Sequence, residues 1–273
     1  EPVVAGDVGP DTDWRHGLEG IDIVVHTASM VHIMKDTASG SEFMRVNAEG
    51  TGRLAQHALK AGVSRFVYIS SIKVNGDGKG NPYNEKDEPL PRDSYGLSKL
   101  EAEKRLWAIS EGKSMETVVL RPPLVYGPGV RANFLRLIGL VDKGVPLPFA
   151  SLKNQRSIIY LGNLTHAIAL CSFHRKAPGE TYLVSDCEDV STPGLIRMIA
   201  KELGRTTRLL PFPEPLFRAA AALFGMKESL GRLIGSLEVD CSKIQRELGW
   251  SPPYSVEQGI HDTIEWYVKR RKD

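Results

Sequence analysis

The chain has 273 residues, 41% of them apolar and 25% charged, which is the composition of a soluble globular protein with a substantial core. A formal charge of +2 argues neither for nucleic acid nor for a membrane surface as partner. Cys171, Cys187 and Cys241 lie far apart with no metal-ligand pattern, and no signal peptide or membrane span is visible, so the chain reads as a reduced, cytoplasmic protein.

In chain order, Pro2-Val3-Val4-Ala5-Gly6-Asp7-Val8 reads as a strand ending in Gly-Asp, and Asp22 to Ala28 as a second strand. A helix from Glu42 to Ala61 follows, with Phe43, Val46, Leu54, Ala55 and Leu59 as its apolar stripe. Arg65-Phe66-Val67-Tyr68-Ile69 is a β-branched and aromatic run suited to a buried parallel strand, and it ends in Ser70-Ser71. A loop rich in glycine and proline leads to a helix from Ser94, read as its cap, to Glu111. Thr117 to Leu120 is a fourth strand. Strands alternating with helices predict a parallel sheet covered on both faces.

After Pro128 the pattern loosens. Helices are expected over Arg131–Lys143, Asn163–Phe173, Thr192–Gly204, near Leu216–Phe224 and over Val256–Arg271; strands are expected over Gln155–Leu161 and Thr181–Ser185. Among the seven histidines no spaced metal pair appears, and His26 reads as structural.

The chemistry concentrates at Ser70-Ser71 and at Ser94-Tyr95-Gly96-Leu97-Ser98-Lys99. A phenol and an ammonium four residues apart share one helix face. A nearby cation favours phenolate, so the pair can exchange a proton with a substrate hydroxyl near neutral pH. The serines end a strand, where an open α/β sheet meets its ligands.

Three stretches carry a family resemblance: Ser70 to Gly76, Asp93 to Lys99, and Leu120-Arg121-Pro122-Pro123-Leu124-Val125-Tyr126-Gly127-Pro128. Together they resemble the extended short-chain dehydrogenase/reductase superfamily, in its nucleotide-sugar epimerase and 4-keto-reductase branch. Leu237 to Ile244 and Leu248-Gly249-Trp250-Ser251-Pro252 are similar to that family's C-terminal signature.

The resemblance implies a Rossmann-like doubly wound parallel sheet with a smaller mixed α/β substrate lobe. Residues 1–127, with 156–190 returning, would form the cofactor domain, and 128–155 with 191–273 the substrate lobe. It implies Tyr95 as general acid/base, Lys99 as its partner and ribose ligand, and Ser71 as the orienting hydroxyl, with Ser70 competing for that place. Asp7, Val8, Thr27, Ala28, Ser29, Asn47, Ser70, Pro122, Pro123 and Val125 would line NAD, with NADP left open. Asn133, Arg156 and Arg232, with Ser71, would face a UDP-sugar.

Two enzymatic outcomes share this machinery: 4-epimerisation of a UDP-hexose or UDP-N-acetylhexosamine for surface-polysaccharide synthesis, and reduction of a 4-keto-6-deoxy sugar. A cofactor-binding sensor or scaffold is a third, and a homodimer is expected. No glycine-rich turn follows a first strand, so roughly the first forty residues of the family pattern are expected to be absent, on the size of a βαβ unit of about 30 residues or more. A chain with these as its true limits is expected to be inactive and to bind NAD poorly, and the complete polypeptide to be active and to bind it.

Overall fold

The computed structural model describes residues 2–31, 40–213 and 234–271. At its centre is a parallel sheet in the order β1-β2-β3-β6, formed by Ile23–His26, Arg65–Ile69, Glu116–Arg121 and Thr181–Leu183. β2 shows why the sheet is covered on both sides. Phe66 and Tyr68 point to one face and Val67 to the other, and all three are fully buried.

On the first face lies a long helical rod. It comprises α1 (Gly40–Phe43), a π-helical stretch (Met44–Glu49) and α2 (Gly50–Lys60). The π turn is closed by the Gly50 N–H, which donates to the Arg45 carbonyl five residues back. Leu54, Ala55 and Ala58 pack with Phe66, Tyr68 and Leu106. α3 (Ser94–Ser110) lies beside the rod. Val67, Val118 and Leu120 face the opposite cluster, with Leu164, Ala167 and Cys171 of α5 (Leu161–Phe173) and Trp250.

A second parallel pair, β4 (Leu124–Tyr126) and β5 (Ile158–Tyr160), stands outside the main sheet. Residues 122–125 were expected as a cofactor border and not as a strand. The pairing depends on a partner beyond α4 (Ala132–Asp142), which local pattern does not reveal. Tyr126, Phe134, Ile138, Tyr160, Ile196 and Ile260 belong to a third core, shared by α4, α6 (Thr192–Glu202) and α8 (Val256–Arg270). Short α7 (Ser242–Leu248) precedes α8.

Three expectations are corrected. Residues 2–8 form no strand: Val3 and Val4 are 58% and 96% exposed, and no described strand lies alongside to pair with them. α3 is capped by Asp93, not Ser94; its carboxylate accepts from the Gly96 N–H at 2.7 Å. The strand expected over 155–161 shortens to β5, because Arg156 pairs singly with Val190 and Leu237 and the helix already begins at Leu161. The apolar segment near Leu216–Phe224 lies outside the described residues. Among the described residues no helix is long and apolar enough to cross a membrane.

Candidate active site

The site forms where β2 ends. Ser70 stays buried, and its N–H extends the ladder to the Leu120 carbonyl at 2.7 Å. Ser71 is extended and caps the following short turn (Ile72–Val74), accepting from the Lys73 N–H at 3.2 Å. α3 then rests its first turn directly on that loop. A Cβ on Gly96 would meet the Lys73 carbonyl oxygen at 2.5 Å, so only glycine permits the contact. The close approach brings the Tyr95 hydroxyl into hydrogen-bonding reach of the Ser71 and Ser29 hydroxyls.

One helical turn on, Lys99 is 1% exposed. Its Nζ donates to the Ile69 carbonyl at 2.6 Å and lies 4.2 Å above the Tyr68 ring. Burial lowers Lys99 to about 7, with Glu103 opposing the shift. Tyr95 moves the other way: burial raises its phenol, while hydrogen bonds from Ser71 and Ser29 partly counter it. In this arrangement the Lys99 ammonium faces the Ile69 carbonyl and the Tyr68 ring.

Asn47 sits in the π turn and bridges three elements. Its Oδ1 accepts from the Met30 N–H at 2.7 Å and the Ser29 hydroxyl at 3.1 Å. Its Nδ2 donates to the Met30 carbonyl and to Ser98 Oγ, each at 3.0 Å. Ser98 in turn donates to the Tyr95 carbonyl at 2.8 Å. His26 is buried against Tyr68 and bonded to Thr51, away from the hydroxyl cluster; burial first, and then the Lys99 charge, lowers it to about 3.

Sequence reasoning missed the support underneath. Arg121 donates to both Glu103 carboxylate oxygens, at 3.0 and 2.6 Å, and to Asn75 Oδ1 at 3.0 Å. This buried fork ties the loop after β2 and the α3 helix to the end of β3. No local spacing pairs Glu103 with Arg121, which lies eighteen residues on in another element.

The remaining candidates are more scattered. At the end of β1, Thr27 and Ala28 are exposed and Ser29 is half-buried; Pro122 and Pro123 are buried and Val125 is half-buried. Asp7 and Val8 line an open pocket of about 280 Å³ with Arg45, and no described contact links them to Tyr95. Asn133 is exposed in the first turn of α4. Arg156 is half-buried, exchanges backbone hydrogen bonds with Val190, and donates from Nη1 to the Gly235 carbonyl at 2.8 Å. Arg232 lies outside the described residues.

The parallel α/β sheet brings a serine, a tyrosine and a buried lysine together at one strand end, where open sheets of this kind bind their ligands. Residues 1–213 match the 3-beta hydroxysteroid dehydrogenase/isomerase family. UDP-glucose 4-epimerase of Vibrio cholerae is 43% identical over 269 residues, covering 97% of this chain and 82% of that protein. Among solved structures, MoeE5 in complex with UDP-glucuronic acid and NAD superposes with a TM-score of 0.79 at 25% identity, covering 99% of this chain and 86% of that one. UDP-glucuronic acid 4-epimerase of Bacillus cereus, in complex with NAD, superposes at 0.77 with 23% identity, covering 96% and 79%. The chain belongs to the NAD-dependent epimerase/dehydratase family of extended short-chain dehydrogenases/reductases, and it is an enzyme of that type.

Proposed function

We propose that this enzyme is an NAD-dependent nucleotide-sugar 4-epimerase acting on a UDP-hexose or UDP-N-acetylhexosamine, in the cytoplasm, for surface-polysaccharide precursors. The observation that carries the reading is the meeting of the Ser71 and Tyr95 hydroxyls one helical turn before buried Lys99. The 43% identity to the Vibrio cholerae enzyme supports the substrate class over the sterols named for more distant Mycobacterium tuberculosis relatives, which are 27% identical.

The residues fit a dinucleotide at this end of the sheet. Ser70 Oγ is buried with no partner among the described residues. Lys99 Nζ has one hydrogen-bond acceptor there, leaving two N–H groups for a ribose. Thr27, Ala28 and Ser29 offer little bulk to an approaching backbone or phosphate. When bound, NAD supplies the two-electron acceptor and donor for the sugar carbon.

The chain itself handles the proton and the geometry. Tyr95 takes the proton of the C4 hydroxyl and, once the 4-keto ring has turned, returns it to that same oxygen, the configuration at C4 being inverted by hydride return to the other face. Ser71 holds the same oxygen in line with the phenol. Burial raises the Tyr95 phenol, so it has to lose its proton before it can act as base; once it has taken the C4 hydroxyl proton it is the neutral donor of the return step. Asn47 fixes Ser29 and the first turn of α3, keeping the hydroxyls in register. Arg156 and Asn133 are assigned to the diphosphate side, and a homodimer is part of the reading.

The test is direct. Incubation of the complete polypeptide with NAD and UDP-glucose or UDP-N-acetylglucosamine, followed by proton NMR of the anomeric region, should show the C4 epimer. Tyr95→Phe should keep the circular dichroism spectrum and lose roughly 10²–10⁴ in turnover. Wild-type rates in that variant sink the role of Tyr95. Consumption of a 4-keto sugar with NAD(P)H, without epimer formation, would make the enzyme the reductase instead.

A further inference from the structure

Two of the three thiols converge on one residue. Cys187 follows β6, and Cys241 immediately precedes α7. Cys241 Sγ lies 2.9 Å from Ser185 Oγ. Cys187 donates from its N–H to that same Oγ at 3.0 Å, and from Sγ to the Ser185 carbonyl at 3.6 Å. The two thiols are within hydrogen-bonding reach of each other.

Their environments differ. Cys187 is exposed and Cys241 is buried. Cys187 adopts φ +56°, a left-handed conformation unfavourable for a residue with a Cβ. That backbone turns its sulfur back toward Ser185, and Gln245 Nε2 donates to the sulfur at 3.5 Å. An exposed sulfur receiving donors, beside a second sulfur held behind it, is the layout of an attacking and a resolving thiol.

We propose that Cys187 and Cys241 form an oxidisable dithiol, a modification site at which a hydroperoxide is reduced and an intrachain disulfide is made. Cys187 is the attacking sulfur. The Cys241 thiol and Ser185 hold it below the ordinary thiol range, against burial and the Asp186 and Asp189 carboxylates. Cys241 is raised, first by its bond to Cys187 and then by burial.

The chemistry balances without a cofactor. Cys187 thiolate attacks one peroxide oxygen; the S–O bond forms, the O–O bond breaks, and the departing hydroxide takes a proton to become water. Cys241 then displaces the hydroxyl from the Cys187 sulfenic acid; the S–S bond forms, the S–O bond breaks, and the Cys241 proton leaves in a second water. Two thiols are oxidised by two electrons and one hydrogen peroxide is reduced to two waters. Cys171 is placed to stay out of this: it is fully buried in α5, and burial pushes its thiol up to about 12.

The experiment treats the native full chain with a small excess of hydrogen peroxide. Free thiols are then counted, the intact mass is measured, and non-reduced peptides are mapped. The expected result is loss of two of the three thiols, a mass lower by two hydrogens, and one linked peptide pair containing Cys187 and Cys241. Dithiothreitol should restore all three thiols. Cys187→Ser, a conservative exposed change, should abolish the bridge and leave Cys241 and Cys171 reduced. No thiol loss, oxygen addition to Cys187 without a bridge, a bridge involving Cys171, or an interchain bridge would each overturn the proposal.

Discussion

The Tyr95 side of the candidate site and the Arg156 side are held together over very different distances along the chain. Around Tyr95, short-range devices set each position: Asp93 caps at Gly96, Ser71 caps the turn at Lys73, and Ser98 bonds back to Tyr95. A few longer ties then fasten these pieces to the sheet, chiefly the Arg121–Glu103 fork. Around Arg156 the ties are long-range, to Val190 and to Gly235. Asp186 accepts from the Tyr126 hydroxyl at 2.8 Å, the Tyr160 N–H at 2.8 Å and Asn163 Nδ2 at 2.7 Å, joining β4, β5 and α5 at one carboxylate. Hydroxyls set by local geometry keep their register, whereas a wall assembled from distant segments can change its lining without disturbing them.

That contrast predicts where the molecule breaks. The largest effect should come from Arg121→Leu, which leaves the Glu103 carboxylate buried without its partner and should cost about 3–5 kcal/mol of stability. The double change Arg121→Leu with Glu103→Leu should recover most of the loss; urea midpoints of the three proteins measure this. A single variant as stable as wild type would mean that the fork supports nothing. Next is Asp186→Ala, which orphans three buried donors and should cost about 3 kcal/mol. Because these donors belong to the second half, Tyr95 chemistry on a small surrogate alcohol should persist in whatever fraction stays folded.

A third effect is in pH. Burial holds folded Lys99 at about 7, against an ordinary 10.5. Between those values the unfolded chain keeps a proton that the folded chain has released, so stability should rise with pH by about 1.4 kcal/mol per unit. Below pH 7 the cost of charging Lys99 is complete and the contribution is flat. Lys99→Met should remove this slope from denaturation midpoints while lowering turnover. A slope that survives the substitution belongs to another group.

The same contrast explains how much could be read in advance. Tyr95, Lys99 and Ser71 could be singled out because strand end and helix spacing are local, Asn47 only through the family resemblance, and the structure gathers the four at one strand end. The parallel sheet was legible for a similar reason: β2 and β3 are short apolar runs with helices between them. β4 was not, since Leu124-Val125-Tyr126 becomes a strand only through Ile158-Ile159-Tyr160. Residues 2–8 misled because Val3 and Val4 have strand-like chemistry without a described neighbour to pair with. Glu103 and Arg121 escaped because an isolated carboxylate on a helix reads as solvated until its partner across the sheet is known.

The smallest expected effect separates the halves most cleanly. Arg156 already donates to the Gly235 carbonyl, and its backbone is fixed by Val190 on both sides. A phosphate oxygen would therefore gain from a guanidinium that is ordered beforehand but shared with a carbonyl, which places its contribution at the low end of charged hydrogen bonds, about 1.5 kcal/mol. Arg156→Ala should weaken UDP binding by roughly that amount, about tenfold, in calorimetry with UDP alone. Arg156→Lys should recover only part, because an ammonium cannot serve the carbonyl and the phosphate in one plane. Neither change reaches Ser71 or Tyr95, so turnover at saturating substrate should stay near wild type. Equal UDP affinity in all three proteins would return Arg156 to a purely structural place between Gly235 and Val190.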